Sequence, residues 1–253
     1  MIRVMTFNLR LDLEMDGINR FSNRLSFITS FLLKEKPDVV YFQEVTPKMY
    51  FSLQHILTDY VSVGTFRRDQ DEATPIFYRK SLGASLEEGT FWLTSTPEQV
   101  SKEPDSYFYR IASYVVVSNA KLPPIAFFNT HLDYASGDVS TRQMECVIKR
   151  MREVGERHAA SFVLGGDFNQ TPNTLVNQFI SNVRIQNRQM VSAYQALSNP
   201  GLTYHGFTGE TKGEPIDFLY VSEELTFSNV QIYHNQENGV YLSDHYPLAL
   251  TLE

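Results

Sequence analysis

The sequence predicts an α/β sandwich: two β-sheets stacked face to face with helices outside. Three observations predict it. Short runs of β-branched and aromatic residues alternate along the chain with segments of helical periodicity. A faint internal repeat accompanies them. Phe7-Asn8 and Phe128-Asn129 each close a strand, and each is followed by an apolar strand, an acid (Glu44, then Asp167) and a Thr-Pro pair (Thr46-Pro47, then Thr171-Pro172) that opens a helix. Finally, 253 residues with 42% hydrophobic content can bury one sizeable core. The segment joining the two halves resembles the other connections, so a single domain is expected over residues 1–253.

Ile2 to Phe7 alternates and is rich in β-formers, so it reads as a strand ending at Asn8. A loop with Asp16-Gly17 and Asn19 follows. Asn23 is the expected cap of a helix with apolar positions Leu25, Phe27, Ile28, Phe31 and Leu32, stopped by Pro37. Val39 to Phe42 is a buried strand ending at Gln43-Glu44. Thr46-Pro47 opens the next helix, with Pro in its first turn. Strands are then expected at Tyr60 to Phe66, Ile76 to Arg79, Phe91 to Leu93 and Ile111 to Val117, with a loop over about 95–109. Ile125 to Phe128 forms a strand ending at Asn129-Thr130-His131. A long helix over roughly 140–158 carries Met144, Val147, Ile148, Met151 and Val154 on one face. Phe162 to Leu164 is another buried strand, ending in Gly165-Gly166-Asp167-Phe168-Asn169. Short helical stretches at about 173–181 and 189–197 precede the strands Ile216 to Val221 and Tyr246 to Leu252.

Composition narrows the function. No apolar run approaches the roughly 18 residues that span a bilayer. The segment Met1-Ile2-Arg3-Val4 lacks the zones of a signal peptide, and the single cysteine, Cys146, cannot form an internal disulfide. Both suit a cytoplasmic setting. Cys146 lies in a helical pattern and reads as packing. A net charge of −7 argues against tight, sequence-independent binding to duplex DNA. It leaves room for an enzyme that holds one phosphate locally through a metal and a few arginines.

The polar residues fall where chemistry can use them. Asn8, Glu44, His131 and Asp167 each close an apolar strand, and strand ends are rigid platforms for a site. Asp244-His245 opens the last strand, which reaches the same rim if it runs antiparallel. A lone Glu at a strand end is ordinarily a surface carboxylate, and a lone Asn a turn residue. Asn8 with Glu44 makes an oxygen set suited to Mg2+ rather than zinc. In Gly165-Gly166-Asp167-Phe168-Asn169 the glycines permit close backbone approach, and Asp167 and Asn169 share one side of an extended segment. That motif is equally a tight turn before a helix, or a pair orienting a water or a second cation. Asp217 sits among apolar residues on a strand and needs a partner. His245 is the expected one, its tautomer fixed by the carboxylate.

Thr6-Phe7-Asn8-Leu9-Arg10, Gln43-Glu44, Asn129-Thr130-His131-Leu132-Asp133, Gly166-Asp167-Phe168-Asn169, Ile216-Asp217-Phe218 and Ser243-Asp244-His245-Tyr246-Pro247 together resemble the endonuclease/exonuclease/phosphatase superfamily, which has the DNase I-like fold. The blocks keep the family's order and span nearly the whole chain. Asp16-Gly17, Pro75-Ile76-Phe77-Tyr78-Arg79, Gly89-Thr90-Phe91-Trp92-Leu93 and Tyr204-His205-Gly206-Phe207 resemble its bacterial hydrolase branch. The resemblance implies a four-layer αββα sandwich of two packed mixed sheets and Mg2+- or Mn2+-dependent hydrolysis of a phosphodiester or phosphomonoester. It implies that Glu44, with Asn8 nearby, anchors the metal, joined by Asp244 directly or through water. Asp167 and Asn169 would position the attacking water. The Asp217–His245 pair would act as base or charge stabiliser, the division of labour between His245 and Asp167 being open. His131 would contact the phosphate and is a candidate acid for the leaving group. Arg110 would hold a phosphate oxygen. Gln170-Thr171-Pro172 departs from the inositol polyphosphate 5-phosphatases, and the strand at Asp217 lacks the Trp-Arg-Leu-Asp run of abasic-site endonucleases. A nuclease acting on DNA or RNA is the alternative, should Arg67, Arg68, Arg79, Arg110 and Arg142 gather into a strip. A non-catalytic interaction domain is the third reading, opposed by the filled chemical positions. The oligomeric state is left open.

Overall fold

Apolar residues that alternate along a strand face opposite ways, so a strand apolar at every position must be covered on both sides. The computed structural model, which describes residues 1–120 and 122–253, meets that demand with two sheets buried between helices. In chain order the first half comprises β1 (Ile2–Asn8), α1 (Phe21–Glu35), β2 (Val39–Gln43), α2 (Pro47–Ile56), β3 (Tyr60–Val63), β4 (Ile76–Arg79), β5 (Ala84–Trp92) and β6 (Ile111–Asn119). Then come β7 (Leu122–His131), α3 (Gly137–His158), β8 (Ser161–Asp167), α4 (Leu175–Asn182), β9 (Arg184–Ile185), β10 (Arg188–Ser192), β11 (Asp217–Ser222), β12 (Phe227–Ile232), β13 (Gln236–Glu237), β14 (Val240–Tyr241) and β15 (Leu248–Leu252).

One sheet has the order β12-β15-β1-β2-β4-β3 and the other β5-β6-β7-β8-β11-β10-β9. Both are mixed: β1 and β2 run parallel, as do β7 and β8, among otherwise antiparallel neighbours. Three apolar layers follow from the alternation. Val4, Val39, Tyr41, Val115, Phe127, Val163, Leu219 and Leu250 pack between the sheets. Met5, Phe7, Val40 and Phe42 face the other way, against Ile28, Phe31 and Met49 of α1 and α2. Ala126, Phe128, Phe162 and Leu164 face Met144, Val147 and Met151 of α3 and Ile180 of α4. The result is the four-layer αββα sandwich.

The elements differ from the expected ones in a few places. The first helix starts at Phe21 and not at Asn23, because a 3-10 segment, Glu14–Asn19, feeds straight into it. Asn23 instead donates from Nδ2 to Gly17 O at 3.1 Å. The long helix starts at Gly137, where Ser136 Oγ accepts from Val139 N. Residues 189–197, expected as helix, divide between strand and a 3-10 turn: Met190 to Ser192 pair with Tyr220 to Ser222 of β11, and Ala193–Ala196 make the turn. A strand ladder there outweighs weak local periodicity. The expected strand at Phe91 extends back to Ala84, and β12 was not foreseen. Among the described residues no helix is long and apolar enough to cross a membrane.

Glu87 of β5 ties that strand to the end of α3. It accepts from Arg157 Nε at 2.9 Å, contacts His158 Nε2 at 2.7 Å, and receives the Tyr114 hydroxyl at 2.8 Å. The hydrogen bonds from Arg157, with those from Tyr114 and His158, pull its carboxyl down to about 2. A depressed carboxyl adds stability above its unfolded value of about 4.3 and loses it as the pH falls through the folded value. Glu87→Gln should therefore cost about 1 kcal/mol at neutral pH, a magnitude limited by partial exposure. Melting curves of the two proteins should converge between about pH 4 and pH 2. A gap that persists at the acid end would contradict this account.

Candidate active site

Parallel pairing places strand ends together. Asn8 is level with Gln43, and His131 is level with Asp167. The antiparallel neighbour β11 starts at that rim, so Asp217 is level with Asp167. Because β15 runs antiparallel to β1, Asp244 and His245 arrive at the same end. Local backbone then aims the groups. Glu44 turns off β2 with φ 58°, and Asn169 follows β8 with φ 51°. At Gly166 (φ 133°) a Cβ would lie 1.8 Å from Thr130 O, so only glycine lets β7 and β8 approach this closely.

Glu44, His131, Asp167, Asn169, Asp244, His245 and Arg110 all line one open cavity of about 390 Å3. Asn8 and Asp217 are buried immediately behind it. Asn8 Nδ2 donates to Asp167 Oδ2 at 2.9 Å and to Glu44 Oε1 at 3.2 Å, while its Oδ1 accepts from Arg10 N at 2.9 Å. Asn8 thus holds two carboxylates as a donor, while its oxygen accepts one hydrogen bond and keeps a second lone pair. Glu44 Oε2 accepts from Leu11 N at 3.1 Å. Asp167 Oδ1 accepts from Asn169 N at 2.9 Å. The His245 ring is fixed by Nδ1 on Asp217 Oδ2 at 2.8 Å, and its Nε2 lies 3.7 Å from Asp167 Oδ2. His131 Nε2 lies 3.5 Å from the same oxygen.

The electrostatics follow from burial and from these neighbours. Burial, reinforced by Asp217, pushes the Asp167 carboxyl up to about 7. Burial works against a charged His245, but the carboxylates of Asp217 and Asp167 override it and hold the ring well above its ordinary value. His131 is held well below, by burial and then by Arg110, His245 and Arg67. Asp244 is pushed up by burial and by the charge of Glu44. The two histidines are therefore opposites, one cationic and one neutral. The proton on His131 can also be placed. Asn169 Nδ2 is 2.9 Å from Leu132 O and 3.0 Å from His131 Nε2. An amide nitrogen only donates, so Nε2 accepts and the proton sits on Nδ1. Such a ring is not a resting proton donor toward a leaving group, which departs from the expected acid role.

Two donor sets suit a cation. Glu44 and Asp244 present carboxylates to the cavity, and their mutual repulsion is what a hard divalent ion would relieve. Asp167, Asp217 and His245 also place ligand atoms within 4.8 Å of one another. In that buried trio Asp217 Oδ1 is unpartnered, but His245 is held as a cation with Nδ1 on Asp217 Oδ2 and has no lone pair to give a metal, so the Glu44–Asp244 set fits the ion better.

The arginines do not form a strip. Arg110 is buried at the cavity, with Nε 3.4 Å from Asp133 and its guanidinium over the Phe108 ring. Arg67 lines the same cavity and pairs with Asp71 and Glu72. Arg68 pairs with Asp71, Arg142 with Glu103 and Asp105, and Arg79 sits at the opposite end of β4 near Pro37. Other contributors went unforeseen. Arg10 lines the cavity and lies 3.7 Å from Asp244, bridging it to Asp16. Arg24, wholly buried on α1, donates to Leu9 O and Leu242 O and so joins the backbones that follow Asn8 and precede Asp244. Gln43 Nε2 donates to Asn129 Oδ1 at 2.7 Å, and Asn129 Nδ2 donates to Phe42 O and Pro75 O, tying the sheets together beneath the site. Arg10, Gln43 and Asn129 lay inside the quoted blocks, but nothing in residue type distinguished them.

Residues 5–245 match the model of the Endonuclease/Exonuclease/phosphatase family. No curated protein matches the chain. Among solved structures, an endonuclease/exonuclease/phosphatase from Bacteroides vulgatus is 28% identical with a TM-score of 0.88, covering 100% of this chain and 99% of that one. A mannosyl-6-phosphatase from Bacteroides thetaiotaomicron is 22% identical with a TM-score of 0.90, covering 100% of both chains. TDP2 from Caenorhabditis elegans is 18% identical with a TM-score of 0.76, covering 99% of this chain and 74% of that one. The likeness to the last two is one of fold.

Proposed function

The chain belongs to the endonuclease/exonuclease/phosphatase family and has its DNase I-like fold, and from that premise we propose that it is a divalent-metal-dependent phosphoesterase, hydrolysing a phosphomonoester or phosphodiester by direct attack of water. One observation carries the reading. Asp167 is held by Asn8 and Asn169 N between two imidazoles, in a cavity that Glu44 and Asp244 also face. Glu44 and Asp244 would hold Mg2+ or Mn2+, which supplies charge neutralisation at a phosphate oxygen. Asn8 orients Glu44, and its oxygen lone pair would join the ion's shell.

In this mechanism Asp167 and Asn169 hold the attacking water, and Asp167 takes its proton as the water oxygen bonds to phosphorus; the P–O bond opposite breaks, and the leaving oxygen takes a proton from solvent through the open cavity. His245, oriented by Asp217, donates from Nε2 to a non-bridging phosphate oxygen as negative charge builds there. Arg110 binds a second phosphate oxygen from the cavity wall. Burial makes each charge count for more than it would in water. The mannosyl-6-phosphatase is named for a monoester substrate, and a phosphomonoester fits a cavity of about 390 Å3. Arg67 and Arg110 line the cavity but Arg79 and Arg142 lie apart from it, which weakens the strip a nuclease reading needs, and the filled catalytic positions oppose a non-catalytic domain.

Chelation with EDTA should abolish turnover, and Mg2+ or Mn2+ should restore it. Glu44→Ala should lower kcat/KM on the order of 100-fold and weaken Mn2+ binding in calorimetry. Full activity in excess chelator, or Mn2+ binding untouched by the substitution, would refute the metal assignment.

A further inference from the structure

Two histidines line the cavity, and their Nδ1 atoms are treated differently. That of His245 is held by Asp217. That of His131 is buried with no hydrogen-bond partner. Arg67 Nε and Thr74 Oγ1 are likewise buried and unpartnered. The three residues share one feature: all line a small, partly open pocket of about 10 Å3 beside the His131 ring, with Glu72 also in its wall. Each is more than nine-tenths buried. Leaving three such groups unsatisfied would cost about 1–3 kcal/mol apiece. A space of that size holds one water, and a buried water makes about three hydrogen bonds.

We propose that this space is a binding site for a single ordered water, and that Arg67 and Thr74 act through it as positioning residues for His131. The inference rests on the phosphoesterase reading for its catalytic consequence, though not for the water itself. The tautomer that Asn169 imposes on His131, with the proton on Nδ1, sets the arrangement. Arg67 Nε–H can only donate, so it takes one lone pair of the water. His131 Nδ1–H takes the other. One water hydrogen goes to Thr74 Oγ1, and the second is free for Glu72. The water therefore gives the Nδ1–H of His131 the acceptor it otherwise lacks and so supports the tautomer with the Nε2 lone pair toward the cavity. That lone pair accepts from Asn169 Nδ2, whose other hydrogen goes to Leu132 O. With both amide hydrogens committed, Asn169 must turn its oxygen toward the attacking water. A buried solvent molecule thereby reinforces, through an imidazole, the amide orientation that Leu132 O begins.

Thr74→Val keeps the side-chain shape and removes the hydroxyl, while Thr74→Ser keeps the hydroxyl. Nitrogen NMR of the His131 ring should report Nδ1–H in the unaltered protein and in the serine variant. In the valine variant it should report a shift toward Nε2–H. For hydrolysis of p-nitrophenyl phosphate with Mg2+, valine should lower kcat about tenfold with KM unchanged, and serine should restore it. A valine variant that keeps the His131 tautomer and stays within about twofold of the original kcat overturns the proposal. So does a high-resolution crystal structure showing the space dry. If the unaltered protein hydrolyses no phosphate ester, the phosphoesterase reading fails, and the ring tautomer still decides the water site.

Discussion

His245→Ala is expected to lower kcat for an activated phosphodiester on the order of a thousandfold, with the protein still folded. The alanine removes the cation that stands between two buried carboxylates, Nδ1 on Asp217 at 2.8 Å and Nε2 3.7 Å from Asp167. Two effects then add. The phosphate loses the donor that meets its growing charge. Asp167, already pushed up to about 7 by burial and Asp217, loses the positive neighbour that opposes the push and holds its proton more firmly. A carboxyl that keeps its proton cannot take one from water. Asp217→Asn leaves the ring in place but weakens its orientation and charge, so it should fall between the two. Rates measured with saturating Mn2+, beside thermal melts, check this. A His245→Ala enzyme within tenfold of the original would remove His245 from the chemistry.

Gly166→Ala should be the most damaging small substitution in the fold. Its Cβ would lie 1.8 Å from Thr130 O and 2.9 Å from the carbonyl carbon, both backbone atoms of the paired strand. The backbone at φ 133° is closed to other residues as well. Nothing flexible can yield, so β7 and β8 must separate next to His131 and Asp167. A loss of more than about 4 kcal/mol is expected, read as a fall in Tm of about 10 °C. Gly165→Ala provides the comparison. Its nearest contact is the end of a Leu219 side chain at 2.6 Å, although Phe218 O at 2.7 Å also resists. It should be tolerated better. A Gly166→Ala protein melting within a few degrees of the original would show that the strands adjust at little cost.

Polar residues that end apolar strands were legible because both facts are written in the chain. A run such as Val39 to Phe42 must be buried, and Glu44 cannot follow it inside. The direction in which each such group points was not legible. Glu44 reaches the cavity through a left-handed backbone that its side chain does not favour, a choice imposed by the surrounding structure. Arg24 illustrates the limit more sharply. An arginine in an amphipathic helix reads as solvent-facing, yet here it is wholly buried on carbonyls that become neighbours only after folding. Asn8 was legible as a site residue but not as a donor, since the two ends of an amide are told apart only by what surrounds them. The short strand Arg188–Ser192 was misread because its partner, β11, lies well downstream in the chain.

The place of β15 between β12 and β1 has a consequence for how the protein comes into being. Of the elements of this fold, β1 leaves the ribosome earliest and β15 latest, yet they are immediate neighbours. The residues just before β15, Asp244 and His245, close the rim of the cavity. A nascent chain thus carries Asn8, Glu44 and Asp167 well before β15 can bring Asp244 and His245 beside them, so the proposed site is completed only when that strand docks.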